Sequence, residues 1–277
     1  MSYTDLFRQA VEWPVETLRE YLLQHHPDDC QLIDVRQLQE YGKEHLPGAL
    51  WIPAEDLPHR LDGLDNAKAT IVYCWHGSLS RAAAQVLIKA GFLDVRVLKG
   101  GLHAWRYGTA SGLPGQLSAH LADAGSALEQ AALAWQVEET TRQFYAAMAG
   151  SLEEPEAAGL FAELAAAEGH HKATLQALWE ALAGRVAGDD FPEMAQSDKE
   201  MMEGGARLNE ALAWAAQSST GQILDFAMAI ELNAYDHYLH LQRNADDPDS
   251  KRVFEIMADE ERHHLRSLGQ SLEKLQH

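Results

Sequence analysis

Two stretches of the C-terminal half of this chain repeat one another at an offset of 93 residues, the distance from 138 to 231. Glu138 pairs with Glu231, Tyr145 with Tyr238, Glu168 with Glu261, His170 with His263 and His171 with His264. Pro155/Pro248 and Phe161/Phe254 fall on the same offset. Each copy reads Glu and then, 30 residues on, Glu-x-x-His. A carboxylate on one helix and Glu-x-x-His on the next, given twice, is the arrangement a two-metal site needs. It points to redox metal chemistry in this half.

From about Ser126 the composition is rich in Ala, Glu, Leu and Gln, with helical periodicity. The pattern predicts helices over 127–149, 156–182, 222–243 and 250–275, with a shorter one near 206–217. Two hairpins joined by a long connection make a four-helix bundle. With the first turn near Leu152–Pro155, Glu138 stands about 15 residues before it. Glu168 and His171 stand about 15 and 18 residues after it. At ~1.5 Å rise per residue all three reach one height, roughly 22 Å above the turn. Glu231, Glu261 and His264 obey the same arithmetic around a turn at Ala245–Asp249. Within each Glu-x-x-His the two side chains share a face. A single Glu or His on an Ala-rich helix is usually a solvated residue, but six at matched heights, duplicated, are not. Four buried carboxylates without cations are strongly unfavourable, and metal resolves the cost.

This half resembles the rubrerythrin and ferritin-like family over about 150 residues. The resemblance implies that Glu138 and Glu231 are terminal ligands or bridge partners, that Glu168 and Glu261 bridge two metals, and that His171 and His264 cap one metal each. It further implies that Tyr145 and Tyr238 hydrogen-bond ligand carboxylates. The expected cofactor is a pair of non-haem iron ions; manganese and zinc also suit mixed N/O ligands. His170 and His263 point about 100° away from their neighbours on a helix and are left unassigned. At the fourth helix, Glu260-x-x-His263 competes with Glu261-x-x-His264; the seven-residue offset from Phe254, matching Phe161 to Glu168, favours the latter. Two departures stand out. Where the family's third helix usually carries a second Glu, this chain has Ala234. The Cys-rich rubredoxin module is missing too, so peroxidase turnover would need an outside reductant.

The first half follows another pattern. Leu32–Val35, Thr70–Tyr73 and Val95–Leu98 read as strands, with helical spacing over Val15–His25 and Ser80–Ala90. That alternation predicts an α/β layer with a mostly parallel sheet. Cys74 follows a strand and precedes a helix in Cys74-Trp-His-Gly-Ser-Leu-Ser-Arg81. Ligands of open α/β sheets bind beyond the carboxyl ends of strands. Gly77 lets the backbone curl, so that successive N–H groups point at the sulfur and favour the thiolate. Cys30 precedes a buried strand and reads as a packing residue.

This half resembles the rhodanese family over roughly 100 residues. Ile33-Asp-Val-Arg36, Glu44-His-Leu-Pro-Gly-Ala49 with Ile52-Pro53, Cys74-x-x-Gly-x-x-Ser80 and Lys99-Gly-Gly-Leu-His-Ala-Trp105 match its motifs in order. The loop is closest to single-domain sulfurtransferases. The resemblance implies that Cys74 takes sulfane sulfur from a donor such as thiosulfate and passes the persulfide to cyanide or a thiol. The amides of residues 75–80 (Trp75, His76, Gly77, Ser78, Leu79 and Ser80) would cradle the anion, and Trp75, His76 and Arg81 would shape donor access. Related phosphatases carry Arg six residues after Cys; here that place is Ser80, and Arg81 comes one later, which disfavours a phosphatase.

Charge and composition narrow the remaining choices. The net charge is −20, with 11 Lys+Arg against 14 Asp+Glu in residues 1–118 and 11 against 28 in the rest. Nucleic acid is therefore an unfavoured partner. Two cysteines exclude a disulfide scaffold and a four-cysteine metal site. No apolar run approaches the ~20 residues of a membrane span, and no secretory segment opens the chain, so a cytoplasmic location is expected. Gly108–Gly115 reads as a domain edge, giving a sulfurtransferase domain over 1–115, a linker over 116–125 and a di-metal bundle over 126–277. A sulfurtransferase fused to a di-iron oxidoreductase, associating as a homodimer, is the leading expectation. The alternative is a persulfide carrier or sulfur/iron sensor with a metal-storing or ferroxidase bundle.

Overall fold

A computed structural model describes residues 9–112, 126–184 and 200–275. Its contacts divide the chain into two compact units, Met1–Pro114 and Gly115–His277. The linker expected at 116–125 lies outside the described residues.

The first unit is built on a five-stranded sheet in which every strand pairing is parallel. The strands are β1 (Val11–Trp13), β2 (Cys30–Asp34), β3 (Leu50–Trp51), β4 (Ala69–Tyr73) and β5 (Asp94–Leu98), arranged β1-β5-β4-β2-β3. Parallel neighbours need crossovers, and the helices α1 (Val15–Gln24), α2 (Leu38–Lys43) and α3 (Ser78–Lys89) lie in the connections. Successive strand side chains point to opposite faces. Ile33, Val72 and Val97 therefore pack with α3 residues Ala84, Leu87 and Ile88. Leu32, Ile71, Tyr73 and Leu98 pack on the other face with Val15 and Leu18 of α1. Cys30 belongs to this second cluster and Cys74 to the first. Helix α3 begins at Ser78, slightly earlier than predicted, and β1, β3 and α2 were not anticipated.

The second unit contains α4 (Ala127–Ser151), α5 (Pro155–Ala183), α6 (Leu208–Ala215), α7 (Thr220–Asn244) and α8 (Pro248–Leu275). Local chemistry starts the long helices. Ser126 and Ser219 accept from the amides of Glu129 and Gln222. Pro155 and Pro248 open α5 and α8, where a missing N–H costs nothing. Helix α4 packs along α5 and α7 along α8. Two apolar clusters fill the bundle. One gathers Ala131, Val137, Trp179, Leu241, Val253 and Met257. The other gathers Phe144, Met148, Phe161, Ile223, Ile230 and Leu268. On all four long helices the buried positions between these clusters are polar, and every duplicated Glu and the second His of each copy falls there. Among the described residues no helix is long and apolar enough to cross a membrane.

Candidate functional sites

Cys74 stands one residue beyond β4, the central strand of the sheet. Its sulfur accepts hydrogen bonds from the amides of Gly77 at 3.1 Å and Ser80 at 3.4 Å. The Ser80 hydroxyl lies 3.6 Å from the sulfur and donates to the Gly77 carbonyl at 3.1 Å. Gly77 has φ 97°, a left-handed turn that leads straight into α3. Of the expected cradle, Gly77 and Ser80 thus reach the sulfur by hydrogen bonds. Trp75, His76, Ser78 and Leu79 form its exposed outer side. Two backbone donors are thus aimed at one buried sulfur.

The Lys99–Trp105 segment closes the loop from below. Leu102 donates to the Cys74 carbonyl at 2.8 Å and His103 to that of Trp75 at 3.0 Å. Gly101 makes this approach feasible: a Cβ there would meet Trp75 O at 2.5 Å and the Cys74 carbonyl closer still. Beneath, Asp34 and Arg36 form a fully buried ion pair, and Arg36 also donates to the Glu44 carbonyl at 2.6 Å. At the rim, the rings of Trp75, His76 and His103 gather, with centroids 4.9 to 6.1 Å apart. His103 joins the rim from a motif whose site role was not foreseen. Arg81 turns to Glu12 at 3.1 Å on the surface.

In the bundle, the polar layer brings together Glu138 of α4, Glu168 and His171 of α5, Glu231 of α7, and Glu261 and His264 of α8. All six are buried. His171 Nδ1 lies 3.2 Å from Glu168, 3.3 Å from Glu138 and 3.3 Å from Glu261. His264 Nδ1 lies 2.8 Å from Glu231, without hydrogen-bond alignment, and 3.8 Å from Glu168. Possible ligand atoms of Glu138, His171 and Glu261 fall within 4.8 Å of one another, as do those of Glu231, Glu261 and His264. Glu168 similarly groups with both histidines. Glu260 and His263 stay toward the surface, as does His170.

Burial sets the electrostatics. Desolvation, with neighbouring carboxylates next, holds Glu138, Glu168 and Glu261 well above the usual carboxylate range. Glu231 goes the other way: burial opposes its ionisation, but His264 and the Tyr145 hydroxyl bring it down to about 2. His171 is raised to about 9, because Glu168 outweighs the effect of burial. Glu138 Oε1, both oxygens of Glu168 and of Glu261, and both nitrogens of His264 are buried without hydrogen-bond partners. Orphaned acceptors that converge on one another are what a cation satisfies. The donor set of carboxylates and imidazoles fits iron, with manganese and zinc also accommodated.

The model of the rhodanese-like domain matches residues 18–107, and the model of rubrerythrin matches residues 222–277. A thiosulfate sulfurtransferase GlpE of Coxiella burnetii (strain RSA 331 / Henzerling II) is 36% identical over 78 residues, which are 28% of this chain and 73% of the relative. The chain belongs to the rhodanese family, joined to a rubrerythrin domain. The GlpE sulfurtransferase of Pseudomonas aeruginosa is 30% identical over 103 residues, 37% of this chain and 87% of that protein. A crystal structure of a rhodanese-like domain protein from Staphylococcus aureus shares 27% identity, covering 34% of this chain and 90% of that one, with a TM-score of 0.32.

The rubrerythrin match covers α7 and α8; the duplication carries the same pattern into α4 and α5. The tyrosines depart from that symmetry. Tyr145 donates to Glu231 across the bundle. Tyr238 is expected to hold one of the six ligand candidates but donates at 3.0 Å to Glu203, a residue outside that set. Glu203 comes from the connection between α5 and α6 and is buried beside Glu138 and Glu168. Its only sequence signal is a glutamate followed by two glycines in a chain that lacks the expected acidic residue at Ala234.

Proposed function

We propose that this rhodanese–rubrerythrin fusion is a sulfurtransferase carrying a non-haem di-iron oxidoreductase domain. The Cys74 sulfur held against the Gly77 and Ser80 amides carries the first part, supported by relatives named thiosulfate sulfurtransferase. The Cys74 thiolate attacks the outer sulfur of thiosulfate. A new S–S bond forms, the old one breaks, and sulfite leaves with its electron pair. Cyanide or a thiol then attacks the outer sulfur of the persulfide, and Cys74 departs as thiolate. The loop amides stabilise sulfur anions on both sides of the exchange. Trp75, His76, Ser78, Leu79 and Arg81 border the donor's approach.

In the second domain, Glu138, Glu168, His171, Glu231, Glu261 and His264 would hold two iron ions. When bound, such a pair supplies electron transfer to peroxide or oxygen. The chain's own contribution is an ordered shell: Tyr145 orients Glu231, and an apolar cluster closes the polar layer on either side along the bundle. A cavity of about 310 Å³ lined by residues that include Leu164, Ala167, His171 and His264 opens between α5 and α8, wide enough for a small oxidant. Electrons come from a donor outside the bundle.

The test has two parts. Thiosulfate:cyanide turnover that disappears in Cys74→Ser supports the first assignment, and turnover that persists in that variant sinks it. About two irons per chain after anaerobic, iron-replete purification support the second. Little or no metal reduces the bundle to a scaffold and leaves the sulfurtransferase standing.

A further inference from the structure

We infer that Glu203 is a seventh protein ligand of the metal pair, delivered from the crossover to the side of Glu138 and replacing the carboxylate that α7 lacks at Ala234. This rests on the di-metal reading above.

The crossover is built to deliver this one side chain. Residues 200–208 fold back on themselves: Met201 pairs with Arg207, Met202 N–H bonds Ala206 O at 2.8 Å, and Leu208 N–H bonds Glu200 O at 2.8 Å. The tip is fastened to two helices. Glu203 N–H donates at 2.9 Å to the hydroxyl of Thr141 on α4, which in turn donates to Val137 O at 3.1 Å. Gly204, at φ 67°, lies on α7, where a Cβ would stand 3.2 Å from Ile230 Cα. Only glycine combines that conformation with that proximity.

The carboxylate then enters the polar layer. Glu203 is 2% exposed. One oxygen accepts from Tyr238 at 3.0 Å, while Oε2 is buried with no hydrogen-bond partner. Ligand atoms of Glu203, Glu138 and Glu168 lie within 4.8 Å of one another. A residue needed only to receive the Tyr238 hydroxyl has no use for a second buried oxygen facing two other carboxylates, which raises the cost of ionisation for all three. A shared cation reverses that cost.

Duplication alone would make the two halves of the centre alike, and Glu203 makes them unlike. Tyr145 reaches Glu231 directly, whereas its counterpart Tyr238 meets Glu203 in the corresponding role. Four carboxylates balance two divalent ions; the fifth adds negative charge on the Glu138 side alone.

Anaerobic Co(II) titration of the full chain, followed by its visible ligand-field absorption, tests this. The wild type is expected to take up two Co(II) per chain, and Glu203→Gln to weaken one of them by more than about tenfold, the least that losing a ligand's orienting partner costs, with altered absorption from that site only. Unchanged affinity and absorption in Glu203→Gln overturn the inference while leaving the six-residue centre intact. Failure of the underlying reading looks different: the wild type takes up no Co(II) and matches Glu138→Gln. If Glu203→Gln does not fold, Tyr238→Phe frees the Glu203 carboxylate from its hydrogen bond and should alter the same absorption; no change there also overturns the proposal.

Discussion

Leu102 donates its amide to the Cys74 carbonyl oxygen at 2.8 Å, so the residue that carries the reactive sulfur is pinned from below by a segment nearly 30 positions later in the chain. His103 treats the Trp75 carbonyl in the same way. With these carbonyls held elsewhere, their lone pairs do not oppose the sulfur, and the Gly77 and Ser80 amides face it. The approach depends on Gly101, at φ 64° and with no room for a Cβ.

Gly101→Ala should therefore damage the active loop more than the fold. The strained backbone costs ~1–3 kcal/mol, and relief comes by pushing the Cys74–Trp75 peptides outward. We expect sulfur transfer to fall at least tenfold in kcat/KM with thiosulfate while circular dichroism stays native. Wild-type kinetics in this variant would show that the pinning is irrelevant to the loop.

The two cysteines should separate cleanly. Cys74→Ser is expected to abolish turnover and the gain of one sulfur atom seen by mass spectrometry after thiosulfate treatment. Cys30 packs on the opposite face of the sheet. Cys30→Ser should keep full activity and lose ~1–3 kcal/mol of stability through a buried hydroxyl. Persulfide appearing on Cys30 would contradict the assignment.

Arg36 and Asp34 make a buried pair at 2.6 Å. Arg36→Ala leaves an uncompensated carboxylate and should cost ~3–5 kcal/mol in the unfolding of the first unit. Replacing both residues with neutral ones should cost less than replacing Arg36 alone. Urea titration, with the two units' transitions resolved, checks the order.

Tyr145→Phe removes the hydroxyl that orients Glu231. Orienting partners of metal ligands are typically worth 10–100-fold in affinity. We expect iron binding to weaken by about tenfold with little change in thiosulfate:cyanide turnover. Isothermal titration of the anaerobic protein with Fe(II) reads this directly, and an unaltered affinity rules out the orienting role.

Stripping metal with a chelator should lower the melting temperature of the helical bundle. A ligand at 1,000 times its Kd contributes about 4 kcal/mol to the form that binds it. Restoring Fe(II) or Mn(II) should restore the melt, followed by far-UV circular dichroism, while sulfur transfer is unaffected throughout. A bundle whose melt ignores the chelator holds no structurally linked metal.

Much of this architecture is written in the sequence. The duplicated Glu and Glu-x-x-His spacing implies that six side chains reach one level, because helix rise is set by local hydrogen bonds that hardly vary. The strands β2 and β4 show as largely apolar runs because they are buried on both faces, and β5 shows by the alternation of buried Val95 and Val97 with half-buried Asp94 and Arg96. Strands β1 and β3 do not show. They are three and two residues long at the two edges of the sheet, and Val11 is largely exposed, so their pairing comes from neighbours rather than from their own composition.

Glu203 marks the boundary between the two kinds of information. Locally, only the two glycines that follow it distinguish it from the other glutamates of an acidic chain. Its burial follows from where the crossover lands: on Thr141, against Ile230 and over the space beside Ala234. The partner of Tyr238 was decided there too. Spacing along a helix is a local property that sequence determines by itself. Which distant loop fills a gap between helices depends on packing among segments far apart in the chain, and only the tertiary structure settles it.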